Sequence, residues 1–510
     1  MATPASKDNL GVGYVGRILM INPPYPHFTP DLIGVFERDP LATLPIGLMY
    51  AGELTERNGN EVSYFDCQLH DLEQARLDNY DAFGITVMGP QNTTPAHYVF
   101  THLVKEKGID PSKIFLGGQG IERVPLQDFQ RIFPHANLVA RNDSMDGYWD
   151  ISLERQMEKF PESDLRTYLS NEVTLLFSQG CRYACDFCAA VKNRTERFFN
   201  TKDNLDAIVR KAKDFGMAEL SFYATSLDFF QQALWPKRGH MEEVARRLES
   251  IIDIRERYGV RLRVRALTRY DSYNRAMESE ELKNLALRAG FHRFGFGIDG
   301  IASMEMLNAT KKRISTSRGK PREQLLRAME HCHGHFEAVE GLLVVGTKGA
   351  TERALNDENR MIREFLVSFP NFYIRFFPSK NAIAGNENWI DLRNSDPEAH
   401  GKLLADPQRF LDLGYETFAN RISHPDERLR KMVNHSVISM SEAAHALGRL
   451  DSFLTIPHME TDGHELMDPQ HFSRYKEFMR QFVPEVTKTL TLKNLPLKRF
   501  QVNRVIPRDK

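Results

Sequence analysis

Val173-Thr174-Leu175-Leu176-Phe177-Ser178-Gln179-Gly180 runs directly into Cys181-Arg182-Tyr183-Ala184-Cys185-Asp186-Phe187-Cys188. The first five residues read as a buried strand, and Ser178-Gln179-Gly180 turns it into a loop carrying three cysteines. Cys-x-x-x-Cys-x-x-Cys offers three closely spaced thiolates, which suits an iron–sulfur cluster with one iron free of protein ligands. An open iron is a place for a substrate or cofactor to bind, so the motif points to chemistry rather than electron storage. A tetrahedral zinc site would need a fourth ligand, and none sits at zinc-finger spacing. Disulfides are disfavoured in a chain of 510 residues with five cysteines and no secretory signal.

Length and composition set the frame around that loop. A chain of 510 residues is too long for one ordinary core, so two or three domains are expected. Hydrophobic content of 41% and charged content of 26% are those of a soluble globular protein. Lys and Arg number 67 against 68 Asp and Glu, which leaves no basic excess for a phosphate backbone and disfavours nucleic acid as a partner. The first residues are polar, and no apolar run approaches the ~20 residues that span a bilayer. A cytoplasmic protein with no membrane partner is expected, in a compartment reducing enough for an oxygen-sensitive cluster.

Upstream, residues 16–150 alternate short apolar strands with amphipathic helices. Arg17 to Asn22 is a strand stopped by Pro23-Pro24, and Leu48 to Arg57 a helix closed by Asn58-Gly59. Val62 to Phe65 and Ala82 to Met88 are further strands. A helix from about Ala96 to Lys107 precedes the strand Lys113 to Leu116, which enters Gly117-Gly118-Gln119-Gly120. This alternation predicts an α/β fold with a doubly wound parallel sheet, whose ligands bind beyond the carboxyl ends of the strands. Residues 1–15 are expected as a disordered tail and 151–170 as a polar linker with an amphipathic helix.

Downstream, residues 171–385 repeat the strand–helix pattern. After the cysteine loop, Thr201 is a plausible N-cap for a helix ending at Phe215-Gly216. Strands are predicted at Leu220–Tyr223, Leu262–Ala266, Arg293–Ile298, Gly341–Val345 and Phe372–Phe377, with helices between them such as Glu280–Arg288 (Ser279 as N-cap) and Pro321–His331. With the strand before the cysteines these make six β/α units, an open (β/α)6 partial barrel with chemistry at the carboxyl ends of its strands. Residues 386–510 are charged and mainly helical, and a cap that supplies substrate contacts is their expected role.

The cysteine loop, with Phe187 before the third cysteine, resembles that of the radical S-adenosylmethionine (radical SAM) superfamily. Asn22-Pro23-Pro24, Leu44-Pro45-Ile46-Gly47-Leu48 and Leu116-Gly117-Gly118 resemble the cobalamin-binding domain that precedes many radical SAM cores. The resemblance implies a 4Fe-4S cluster held by Cys181, Cys185 and Cys188, with S-adenosylmethionine on the open iron. It also implies cobalamin at the loops of the N-terminal sheet, through Asp66, Thr86, Gly89, Gly117, Gly118 and Gln119. The cobalt-ligating Asp-x-His-x-x-Gly motif of the wider cobalamin family is missing, and Val139-Ala140-Arg141-Asn142-Asp143 stands where relatives show a glycine- and glutamate-rich turn.

For S-adenosylmethionine, the resemblance implies Phe187 near the adenine and Tyr223, Thr225, Ser226 and Asp228 near the methionyl amino group. A turn or capping role for Ser226 and Asp228 is the plain alternative. Arg263 and Arg265 share one strand face, and Arg265 would take either the methionyl carboxylate or an internal salt bridge. Asp299, in Gly295-Phe296-Gly297-Ile298-Asp299-Gly300, stands where related enzymes carry a Gly-Ile-Glu segment. Gly346 would let backbone approach the adenine, and Thr351 is expected to cap the next helix. His331-Cys332-His333-Gly334-His335 looks metal-like, but it falls at a helix end, where the dipole favours histidine. Cys67 is expected as a small buried thiol.

The function expected from this resemblance is radical cleavage of S-adenosylmethionine in a cobalamin-dependent C-methyltransferase. Its substrate would be a small biosynthetic intermediate, and its electrons would come from an external donor of flavodoxin or ferredoxin type. The alternatives are a cobalamin-independent radical lyase, dehydratase or rearrangement enzyme and, from outside enzymology, a cobalamin or redox sensor. No DNA-binding motif or basic patch supports the sensor.

Overall fold

The computed structural model describes residues 16–23, 42–87, 93–118, 121, 126–139, 150–181, 183, 185, 188, 197–234, 240–309, 319–347, 349–378, 394 and 427–447. The N-terminal part consists of β1 (Arg17–Asn22), α1 (Ile46–Arg57), β2 (Glu61–Asp66), β3 (Ala82–Thr86), α2 (Thr93–Thr101), β4 (Ile114–Gly117), α3 (Leu126–Ile132) and β5 (Asn137–Val139). Its strands are all parallel, in the order β2-β1-β3-β4-β5. Strands covered on both faces read as unbroken apolar runs, and β1 and β3 are such strands. Leu19 and Ile21 join Phe83 and Ile85 in one core, while Ile18 and Met20 join Leu48 and Val62 in another. The chain winds away from β1 in both directions, so the gap between β1 and β3 is a topological switch point. The helix foreseen from Ala96 to Lys107 starts at Thr93 and widens into five π-helical residues, His102–Glu106.

Residues 151–170, expected as a polar connector with an amphipathic helix, form two helices, α4 (Glu154–Met157) and α5 (Glu162–Ser170). Met157, Leu165, Tyr168 and Leu169 are buried in the main core, which explains why this stretch carries helices rather than loose chain. Tyr168 also donates its hydroxyl to Asp66 at 2.6 Å, and His70 pairs with Asp164 at 2.7 Å.

The larger part continues with β6 (Val173–Leu176), β7 (Ser178–Gln179), β8 (Arg197–Phe198), α6 (Thr201–Asp214), β9 (Glu219–Thr225), α7 (His240–Tyr258), β10 (Arg261–Thr268), α8 (Tyr270–Met277) and α9 (Glu280–Arg288). It ends with β11 (Phe291–Gly297), α10 (Met304–Ala309), α11 (Pro321–His335), β12 (Ala338–Val345), α12 (Glu352–Ser368), β13 (Phe372–Pro378) and α13 (Glu427–Ala446). Six parallel strands, β6-β9-β10-β11-β12-β13, lie in chain order, each beside its predecessor. Alternation decides the faces: Leu220, Phe222 and Ala224 of β9 enter the core, and Tyr223 and Thr225 take the other side. The helices answer with apolar stripes, as in Leu205, Ile208, Val209 and Ala212 of α6.

Asn204 of α6 is fully buried and ties the two parts together. Its amide donates to Tyr50 Oη (2.8 Å) and Ile151 O (3.0 Å), and its carbonyl accepts from Leu153 N at 2.8 Å. Thr201 is not the N-cap of α6: that position is Asn200, and the Thr201 hydroxyl donates back to Leu176 O and Phe199 O. Ser279 and Thr351 do cap their helices, accepting from Leu282 N and Ala354 N. Of residues 386–510, α13 is the helix described. It packs on α12, where Asn359 donates to Ser436 at 2.8 Å and Arg363 to Ser439 at 2.6 Å. Among the described residues no helix is long and apolar enough to cross a membrane.

Candidate cluster site at the carboxyl end of the larger sheet

The cysteine loop leaves the carboxyl end of β6 and is tied at both ends. Phe177 N donates to Thr225 O (3.0 Å), and Phe199 N donates to Phe177 O (3.1 Å) where β8 brings the chain back antiparallel to β7. The Ser178 and Ser226 hydroxyls share a buried hydrogen bond of 2.8 Å, and Arg247 covers the Phe198 ring at 3.6 Å. These short pairings hold the two ends of the loop together, with the cysteines between them.

Cys181, Cys185 and Cys188 form no disulfide. Burial pushes Cys181 up to about 12, and the charges of Asp228, Cys185 and Cys188 act in the same direction. A thiol so placed becomes a ligand when a cation arrives to offset that penalty. Among the described residues, the trio whose ligand atoms lie within 4.8 Å of one another is Glu73, His102 and Glu106, not the cysteines. Thiolates sharing one ion at about 2.3 Å crowd together, whereas thiolates on separate irons of a cluster stand wider. Three thiolates on one short loop suit a cluster with one iron free of protein ligands. The surface trio has another explanation, because Glu73 is exposed and already paired with Lys107 at 2.5 Å.

Next to the loop, Asp228 is fully buried and hydrogen-bonded on both oxygens. Oδ1 accepts from Thr268 Oγ1 (2.7 Å) and Arg269 N (3.2 Å), and Oδ2 accepts from Ser272 Oγ at 2.5 Å. Burial raises its carboxyl to about 6, against the lowering effect of these donors and of Arg269. Asp228 thus binds the end of β10 to the start of α8, the turn role foreseen as its alternative. Ser226, paired to Ser178, likewise has a structural partner. The Thr225 hydroxyl lies 3.5 Å from Tyr223 O.

Arg265 and Tyr223 belong to a different layer, within the sheet rather than beyond its end. Arg265 binds Glu340 through two nitrogens and Glu172 at 3.2 Å, with the Tyr223 ring 4.6 Å from its guanidinium. Arg293 reaches the same Glu340, which is completely buried. The internal salt bridge is the partner that Arg265 has.

At the ends of β11 and β12, Asp299 accepts from Val344 N at 2.6 Å and so bridges the two strands. Gly346 has φ +77°, and a Cβ there would collide with Val433 of α13. Its closeness serves the C-terminal helix. Two residues escaped the sequence reading here, the buried hydroxyls of Tyr270 and Thr347, which have no hydrogen-bond partner among the described residues. Only their place just beyond strands could have flagged them.

On the N-terminal sheet, Asn22, Thr86 and Gly117 end the strands that flank or adjoin the switch point. Asp66 is buried and accepts from Asn22 Nδ2 (3.1 Å), Gln68 N (2.8 Å) and Tyr168 Oη. Gly118 has φ +119°, and a Cβ would meet Val87 O at 2.6 Å. Both residues thus have reasons within the protein. A Cβ at Gly117 would meet Val139 O at 3.7 Å, an ordinary contact. Phe187, Gly89 and Gln119 lie outside the described residues. Cys67 is buried, which pushes its thiol well above the ordinary value. His331, foreseen at a helix end, lies inside α11, which runs on to His335. It meets Tyr273 Oη at 2.6 Å and stacks on His335.

No protein-family model matches this sequence, and no curated protein sequence does either. Solved structures do match. One is the radical S-adenosylmethionine methyltransferase TsrM from Kitasatospora setae, with cobalamin and a 4Fe-4S cluster bound. It is 14% identical, with 71% of this chain and 72% of that chain covered and a TM-score of 0.50. Another is the cobalamin-dependent S-adenosylmethionine radical enzyme OxsB, 14% identical, with 97% of this chain and 83% of that chain covered and a TM-score of 0.51. The likeness shows a shared fold, in agreement with the resemblance drawn from the cysteine loop and the strand pattern.

Proposed function

We propose that this chain is a radical SAM enzyme, and specifically a cobalamin-dependent C-methyltransferase acting on a small biosynthetic intermediate. The observation that carries the reading is three cysteines outside any disulfide on one loop, tied at both ends, at the carboxyl end of the first strand of a six-stranded parallel sheet. Strands in chain order suit the open (β/α)6 barrel of that superfamily. When bound, a 4Fe-4S cluster supplies the electron that cleaves S-adenosylmethionine to a 5′-deoxyadenosyl radical, and cobalamin supplies a methyl carrier.

Cys181, Cys185 and Cys188 would hold the cluster. Tyr270, Asp299 and Thr347, at the ends of neighbouring strands, would line the place of S-adenosylmethionine or substrate, with two buried hydroxyls still without a partner among the described residues. Cobalamin would lie at the switch point beside Asn22, Thr86 and Gly117. The domains would be 16–150 for cobalamin and 171–385 for the radical core. A flavodoxin or ferredoxin type of donor would reduce the cluster.

A cobalamin-independent radical lyase, dehydratase or rearrangement enzyme is the second reading. It is favoured by Asp66 and Gly118, which were assigned to cobalamin but are engaged within the protein. Products of S-adenosylmethionine separate the two under anaerobic, reducing conditions. Methyl transfer yields S-adenosylhomocysteine besides 5′-deoxyadenosine, and the lyase yields 5′-deoxyadenosine alone. Alanine at Cys181, Cys185 or Cys188 should abolish both products, and retained cleavage in such variants would overturn the assignment.

A further inference from the structure

Between the first two cysteines, the Tyr183 ring lies beneath a guanidinium, with Arg269 Cζ over it at 3.6 Å from the ring centroid. That arginine is fixed from both sides. Its Nε and Nη2 each donate to an oxygen of Asp271 at 2.9 Å, and its backbone N donates to the buried Asp228. Asp228 is itself held by Thr268 and Ser272, so the rigid junction of β10 and α8 holds the guanidinium in place. Cys181 and Cys185 each lie two residues from Tyr183. Hydrogen bonds at Phe177, Ser178 and Phe199 hold the loop's ends, and Cys188 N donates to Cys185 O at 3.2 Å within it.

We propose that Arg269 is a positioning residue for the cysteine loop. Stacked on Tyr183 and locked by Asp271, it presets the spacing of Cys181 and Cys185 before a cluster arrives and turns the positive end of its ion pair toward it afterwards. Planar stacking with bidentate pairing needs a guanidinium, and an ammonium supplies only the charge. A fixed cation beside bound thiolates favours the reduced, more negative cluster. The inference rests on the radical SAM reading only for its cluster half.

The test uses the full chain with four single variants, R269M, R269K, Y183L and Y183F, and the double variant R269M/Y183L. In the cluster-free protein, hydrogen exchange over residues 181–188 should accelerate in R269M and Y183L and stay unchanged in Y183F, which keeps the ring. In the reconstituted protein, iron loss to a chelator should quicken roughly tenfold to thirtyfold in R269M and Y183L, the span of a desolvated cation–π contact. The double variant should be no worse than either single one. The cluster potential should become more negative in R269M and hold in R269K, a difference that loosened packing alone would not produce. Wild-type exchange and release in R269M and Y183L, or additive losses in the double variant, would overturn the proposal. Should R269M fail to fold, Y183L against Y183F decides. A wild type that takes up no cluster sinks the radical SAM reading, while exchange in the cluster-free protein still decides whether the clamp exists.

Discussion

Asn204 makes three hydrogen bonds from a fully buried side chain to residues of two other segments. Asn204→Ala takes one partner from each of a buried N–H, a carbonyl and a hydroxyl, a cost of about 3 kcal/mol. The Tm of the cluster-free variant should fall by several degrees in calorimetry. Asp66 gives a pH signature instead. Burial lifts its carboxyl from 3.8 to about 6, so its contribution to stability is complete below the unfolded value and is lost as pH rises through about 6. Asp66→Asn removes that dependence. The stability of wild type relative to the variant should therefore drop by on the order of 2–3 kcal/mol between pH 4 and 7, read as the difference in Tm at each pH. At this scale the three cysteines were legible because their spacing is local. The partner of Arg265 was not, because Glu340 lies 75 residues away in sequence. A glutamate beside the apolar run that begins at Gly341 was the signal available.

Elements were readable where burial left a pattern. Continuous apolar runs marked β1, β3 and β6, and two-residue alternation marked β9 and β10. β5 was missed because it has three half-buried residues at a sheet edge, and the β7–β8 pair because two residues a side carry no period. Helix ends follow side-chain chemistry closely enough to test. Ser279→Ala should cost α9 about 1 kcal/mol, seen as a lower unfolding midpoint. Gly346→Ala forces a methyl group against Val433 at a positive φ. It should destabilise by about 1–3 kcal/mol and loosen α13, detectable as faster hydrogen exchange over residues 427–446. Val433→Ala in the same background should recover part of the loss, since it removes the colliding methyl groups.

Across the molecule, two parallel sheets of different winding follow one another, joined by α4 and α5 and by the buried contacts of Tyr168 and Asn204. Both windings were legible, since each follows from strands separated by helices. What the sequence withheld was the set of long-range polar partners, which decide whether a residue such as Asp66 or Asp228 faces a ligand or its own chain. Iron, sulfide and cobalt content with visible absorption, after anaerobic purification from cells supplied with iron and cobalamin, tests the central claim most directly. The account expects about four irons per chain with near-equimolar cobalt. A chain without a cluster contradicts it outright, and a cluster without cobalt removes methyl transfer and leaves the radical lyase.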